Sequence, residues 1–374
     1  MTNPRSLLPA APSLLPEGLR DRLPPQAEAA SRVTRALIDV LRRHGYARVS
    51  PPLAEYRETL GGKAEGSGRD LLRFTDPVSQ RTLAFRPDIT RQVGRIAATL
   101  MASAPRPLRL CYAGQVVKLR ASQLRPAREM LQVGAELIGS DSVAAAAEIV
   151  AVAIDALEAA RIGPVTVDFT LPDALERLAG PGMDADRLAA IAAALDGKDA
   201  GALAQLGATE WLPLLAATGN FGPALAALRA FDTAGRLTEQ LASLEAIAAR
   251  VAGRARLMLD PTERHGFAYQ SWFGFTLFVP GQGDAIGRGG TYRIDGSGEA
   301  AVGFSLYPDP LIDAGLGSDE GQARRLFLPL GHDAATATKL RAEGWETVAA
   351  LSATDDAAAL GCTHVLGVKL PEPL

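Results

Sequence analysis

Apolar residues recur at three- and four-residue steps from Gln26 to His44, with Ala29, Val33, Ala36, Leu37, Val40 and Leu41 on one side of the predicted helix. Arg42, Arg43 and His44 close it and Gly45 follows, as expected at a helix C-terminus. "YARVSPPLAEY" then reads as extended chain broken by a double proline. A Gly-rich loop is predicted at 61–68, with short strands near 71–74 and 82–85. In "RPDITRQVGRIAATLM", Pro87 takes a first-turn position and Asp88 lies close to the N-terminus of a second helix. "LRLCYAGQVVKLR" alternates as a strand does. In the next strand the period of two sorts Leu131, Val133, Ala135 and Leu137 to one face, and Met130, Gln132, Gly134 and Glu136 to the other. A sheet with one packed face and one polar, glycine-relieved face suits a ligand platform.

Asp141 or Ser142 can cap an Ala-rich helix running to Arg161, and "VTVDF" is a further strand. The stretch from about 176 to 250 is Ala- and Leu-rich with helical spacing and reads as a helical insertion. Strand texture returns in "ARLMLD", "FAYQSWFGFTLFV" and "AIGRGGTYRID". The "GRGG" at 287–290 is read as a tight turn. From 322 to 374 the pattern is strand, helix to Leu340, strand, short helix, strand: a small α/β unit.

The 374 residues carry a net charge of −3, with 47% hydrophobic and 22% charged positions. That balance is soluble and globular, and it lacks the basic excess of a nucleic-acid binder. Neither an uncharged apolar run of spanning length nor a continuous signal-peptide core occurs, so a cytoplasmic protein is expected. Cys111 and Cys362 are far apart and read as reduced core residues, with neither metal nor cofactor implied. Walker A, G-x-S-x-G and H-E-x-x-H motifs do not occur.

Glu136 is the conspicuous residue, since a buried carboxylate needs a partner. It either pairs with a nearby arginine or accepts from a ligand's ammonium or imidazole N–H. Asp88 and Thr90 suit helix capping, and Tyr269 and Tyr292 suit either a core or a pocket wall.

"FRPDIT", "REMLQVGAELIGSDS", "GGTYRIDG" and "AVGFSL" together resemble the class II histidyl-tRNA synthetase core, over roughly residues 12–175 and 250–315. The resemblance implies an α+β fold: an antiparallel sheet of six or seven strands flanked by helices, split by the helical insert between core parts 1–175 and 251–318. It also implies a histidine-facing set of Asp88, Thr90, Gln132, Glu136, Tyr269 and Tyr292. The ATP-binding positions depart from that family. "VKLR" puts Lys118 where the second motif has arginine and Arg120 where it has glutamate; Pro310 replaces the third motif's arginine and should break its helix. His265 stands at the histidine-specific arginine unless Arg264 shifts in.

A surviving histidine pocket without ATP machinery resembles the regulatory subunits of ATP phosphoribosyltransferase, synthetase-like proteins of histidine biosynthesis. That likeness implies a non-catalytic chain that enables the short catalytic subunit and conveys feedback inhibition by histidine. It implies a homodimer, through 26–44 and 50–56, within a hetero-oligomer. A diverged synthetase-like amino-acid ligase is the alternative.

Overall fold

The computed structural model describes residues 15–61, 71–120, 126–264, 270–315, 324–367 and 370–374. Residues 1–317 and 318–374 form two compact units.

The first unit is organised by a nine-stranded sheet: β1 (Ala47–Arg48), β2 (Leu108–Val117), β3 (Glu129–Ile138), β4 (Thr166–Thr170), β5 (Gly219–Asn220), β6 (Arg256–Asp260), β7 (Gln270–Phe278), β8 (Gly287–Arg293) and β9 (Ala300–Leu306). Their order is β1-β2-β3-β9-β8-β7-β4-β6-β5. The six strands from β2 to β4 are antiparallel throughout. β1 adds to β2 in parallel and β6 to β4 in parallel, while β5 pairs antiparallel with β6. The sheet is therefore wider than the predicted six or seven strands. Two of the additions, β1 and β5, are two residues long and too short to leave a period in the sequence.

Both faces are covered. Helix α1 (Gln26–Arg43) buries Val33, Leu37 and Leu41 against Leu131, Val133, Ala135 and Leu137, as the alternation in β3 requires. Helix α3 (Val143–Ala159) joins this layer, its first turn capped by Ser142, whose Oγ accepts from the Ala145 N–H at 3.3 Å. Its alanines let it lie against both α1 and the Thr238–Val251 helix. On the opposite face sits α2 (Thr90–Ala98), with Ile89, Val93 and Ala97 against Leu110, Tyr112 and Met130. α2 starts at Thr90, so Pro87 lies ahead of the helix rather than in its first turn. Asp88 Oδ1 accepts the Thr90 N–H at 2.6 Å and turns the chain into it.

Arg86 fastens this face to the double-proline segment. Its side chain is buried and donates to the carbonyls of Pro51 and Gln115, both at 2.8 Å. A three-stranded ribbon, Ala54–Tyr56, Arg73–Thr75 and Thr82–Phe85, flanks it. The predicted Gly-rich loop at 61–68 lies, apart from Gly61, outside the described residues. Between β4 and β6 the chain runs through helices from Ala174–Ala179 to Thr238–Val251, and this stretch also contributes β5 to the sheet.

The second unit has a four-stranded sheet of Arg325–Leu328, Glu346–Ala349, His364–Leu366 and Pro371–Pro373, and a helix Ala334–Ala342. The short helix expected after Leu351 is instead a series of turns. Asp355 takes the N–H groups of Leu351 and Ser352 at 2.6 and 3.0 Å, a local alternative that competes with helix. Among the described residues, no helix is long and apolar enough to cross a membrane.

Candidate ligand-binding site

Residues directly opposite in a sheet share a face. The register runs Glu136 to Gly303, Gly303 to Gly290, Gly290 to Gly274 and Gly274 to Thr170. One pair along, Tyr112 meets Gly134, Gly134 meets Ser305 and Ser305 meets Arg288. Glu136 thus heads a row of three glycines, with Tyr112 and Ser305 in the row beside it.

The glycines make room. A Cβ on Gly303 would stand 1.7 Å from Glu136 Oε2, and one on Gly134 would stand 2.4 Å from Tyr112 Oη. The same reason corrects the reading of "GRGG", which lies inside β8 and is no turn. Side chains there would strike Leu306 Cδ2 at 2.6 Å from Gly287 and Phe275 Cζ at 2.4 Å from Gly289.

Glu136 is 1% exposed and Gln132 is fully buried. Glu136 accepts from Tyr112 Oη at 3.1 Å and from Tyr292 Oη at 2.8 Å. The arginine partner considered from sequence is not found: among the described residues none forms an ion pair with Glu136. Gln132 Nε2 donates to Asp88 Oδ2 at 2.9 Å and to Ser305 Oγ at 2.7 Å, and its Oε1 accepts the Ile89 N–H at 2.9 Å. Thr90 Oγ1 and Ser305 Oγ lie 3.1 and 3.0 Å from Tyr112 Oη. One connected network therefore joins β2, β3, β8, β9 and the start of α2.

Burial pushes the Glu136 carboxyl up to about 8, against the opposing effect of the Tyr292 hydroxyl and with further help from the negative charge of Asp88. At neutral pH it keeps its proton in the unliganded protein. Tyr112 is raised well above the usual phenol range, first by burial and then by Glu136, so it stays a neutral donor.

Five of the six predicted residues, Asp88, Thr90, Gln132, Glu136 and Tyr292, meet in this network. Tyr269 and His265 lie outside the described residues. Tyr112 and Ser305 were missed; the only sign of Tyr112 in the sequence is its polar hydroxyl within an apolar strand. Thr90 and Tyr292 also wall a cavity of about 440 Å³ that Arg91, Arg293 and Asp295 share. Pro310 does not break a helix. It sits in the first turn of the short Asp309–Asp313 helix, where a missing N–H costs nothing. Asp309 there accepts the Leu131 N–H at 2.9 Å. Among the described residues no group of three or more potential ligands could hold a metal. Cys111 is buried and its thiol is pushed up to about 11 by that burial, which makes it a poor nucleophile.

A profile of the histidyl-tRNA synthetase family matches residues 18–311. The chain is 42% identical to an ATP phosphoribosyltransferase regulatory subunit of Rhodospirillum centenum, over 96% of each chain. It is 41% identical to one of Paramagnetospirillum magneticum, over 95% of this chain and 96% of that one. In fold it is similar to a Bacillus halodurans protein described as an ATP phosphoribosyltransferase regulatory subunit/histidyl-tRNA synthetase, with a TM-score of 0.81 at 23% identity, covering 96% of this chain and 97% of that one. A histidyl-tRNA synthetase from Nostoc gives 0.76 at 16% identity, covering 95% and 90%. These two solved structures support the class II α+β fold.

Gly303→Ala should destabilise the protein by about 1–3 kcal/mol, because the added methyl displaces the Glu136 carboxyl; urea unfolding measures it, and an unchanged midpoint would refute the packing described. The pH dependence should also be distinctive. An acid whose folded pKa is raised binds more protons in the native than in the unfolded state. Its stabilisation is complete below the usual carboxylate range and is lost as pH rises towards about 8. Asp168, which burial raises to about 7, acts in the same sense. Stability should fall by up to about 1.4 kcal/mol per pH unit from each group in its window. Glu136→Gln should flatten the part of the curve between about pH 7 and 8, and an unaltered curve would show that Glu136 is ionised in the resting protein.

Proposed function

Because the chain belongs to the ATP phosphoribosyltransferase regulatory subunits, a histidyl-tRNA synthetase-like family whose role is regulatory rather than catalytic, we propose that it binds free histidine on the Glu136 face and reports that binding to a short phosphoribosyltransferase catalytic subunit. The observation that carries this reading is a buried glutamic acid held by two tyrosine hydroxyls, with Asp88 as the charged group acting on it. A ligand that brings cationic N–H donors supplies what this face lacks. Histidine carries an ammonium for Asp88 and Gln132 and an imidazole for Glu136, and the Asp88–Thr90 turn is preformed to receive the first of these.

The ATP side supports regulation over ligation. Pro310 presents no charge, and Lys118 offers a point charge in place of a planar fork. On this reading histidine is the feedback signal, the complex is a cytoplasmic hetero-oligomer without nucleic acid, and this chain contributes a homodimer to it. The apolar side of α1 is spent within its own chain. A second copy would therefore meet the edge of β1 and the segment after it, rather than the apolar stripe of α1. Between histidine binding and the partner's active state the coupling required is ~1–3 kcal/mol.

Calorimetry should show histidine binding to the isolated chain, and Glu136→Ala should weaken it about ten- to hundredfold, the loss of one charge-assisted contact. Mixing the chain with a short phosphoribosyltransferase catalytic subunit should give one larger species on a sizing column with raised activity. Histidine should suppress that activity, and Glu136→Ala should blunt the suppression while leaving assembly intact. Two separate peaks with unchanged activity would defeat the regulatory reading, and histidine affinity untouched by Glu136→Ala would defeat the site.

A further inference from the structure

A free histidine carries three polar ends, and the Glu136 network meets two of them: the ammonium at Asp88 and Gln132, and the imidazole at Glu136. The third end is a carboxylate. It would enter a face that already holds Asp88 and the Glu136 carboxyl, and burying a further negative charge is costly unless a cation meets it.

The strand register says where that cation must stand. Along β8, Tyr292, Gly290 and Arg288 take alternate positions and so share one face. Across β9 their counterparts in β3 are Ile138, Glu136 and Gly134, with Gln132 the next position on that face. Tyr292 therefore marks the imidazole end. Gln132 puts the ligand's ammonium on the opposite side of Glu136, which is the side of Arg288. Arg288 is partly buried and lies directly opposite Ser305. The Ser305 Oγ accepts from Gln132 Nε2 at 2.7 Å and lies 3.0 Å from Tyr112 Oη. Neighbouring strands are about 4.8 Å apart, so Arg288 starts one strand beyond the hydroxyl that touches the ammonium position. The ligand's carboxylate and ammonium share one carbon, and a guanidinium on a three-carbon stem covers that interval. Its planar fork matches the two carboxylate oxygens.

Other cations are worse placed. Arg91, Arg95 and Arg293 line the cavity beside Tyr292, at the imidazole end. Arg86 turns its guanidinium to the carbonyls of Pro51 and Gln115. Asp168 stands in the same row as Arg288, beyond Thr276, but the cation acting on it is Lys198.

We propose that Arg288 receives the α-carboxylate of the bound amino acid and makes the site selective for free histidine over analogues without that carboxylate. This inference rests on the histidine reading and adds to it the residue that decides which imidazole compounds are admitted.

The test uses the full chain in calorimetry, with L-histidine and L-histidinol as probes. Histidinol keeps the ammonium and the imidazole and has a hydroxymethyl group in place of the carboxylate. The unaltered chain should bind histidinol about tenfold or more weakly than histidine. Arg288→Gln should weaken histidine by about the same factor and leave histidinol where it was. Arg288→Lys should recover part of the loss, since it keeps the charge and gives up the fork. Equal binding of the two probes by the unaltered chain overturns the proposal without any variant. So does an Arg288→Gln chain that binds histidine as before, or one that weakens both probes alike, which would make Arg288 a structural residue. In those three outcomes Glu136→Ala still weakens histidine binding and the histidine reading survives; an unaltered chain that binds no histidine removes both.

Discussion

Glu136 sits in the third strand of a nine-stranded sheet, 1% exposed, with no ion-pair partner among the described residues. An ionised carboxylate there would cost several kcal/mol. The structure meets the constraint in three ways at once. Burial holds the proton on the acid, tyrosine hydroxyls from β2 and β8 take up its oxygens, and glycines in β9 and β8 keep the floor open. Each of these demands a broad antiparallel sheet. The two tyrosines are 24 and 156 residues from Glu136 in sequence, and only cross-strand pairing brings them into the rows on either side of it. The helix over this face is constrained too. It must deliver Asp88 and Thr90 at its start, and the buried Arg86 beside them fixes that start to the double-proline segment and to β2.

How much of this the sequence revealed follows from the range of each signal. Periods of 3.6 and 2 are local, so α1 and the two faces of β3 could be read directly, Glu136 and Gln132 included. The site's membership was legible where the synthetase-like motifs carried it, in Asp88, Thr90 and Tyr292. Tyr112 and Ser305 were not. Their importance comes from register, and register is a property of pairs of strands far apart in the chain. "GRGG" misled for a related reason. Glycine signals a turn when judged by its own neighbours and close approach when judged by what lies across the sheet. Two-residue edge strands have no period to read at all.

The two faces of the sheet divide the labour. On one, Leu131 to Leu137 and the apolar side of α1 make a continuous core with α3. On the other, polar groups satisfy one another through a chain of hydroxyls and an amide, and the helix covering them is short. Tyr112 stays a neutral donor, and burial raises the Glu136 carboxyl to about 8, so in the resting protein this face is held by hydrogen bonds rather than by ion pairs.

On the proposed reading, the same protonation state gives histidine something to change. A ligand alters an equilibrium only through differential affinity for two states. A cationic imidazole against Glu136 favours the carboxylate, whereas the resting protein favours the acid. Converting one to the other changes what the Glu136 oxygens can do: the acid donates one hydrogen bond, and the carboxylate only accepts. Tyr112 shares its hydroxyl between Glu136, Thr90 and Ser305, and Ser305 in turn takes a hydrogen from Gln132, whose Oε1 holds the start of α2. A change of proton at Glu136 thus reorders donors along that path to Ile89. The next link outward is Arg86, three residues earlier, which grips the Pro51 carbonyl close to the sheet edge at β1. On that reading a ligand on the Glu136 face would be linked through these hydrogen bonds to the sheet edge at β1, where a second copy would be met.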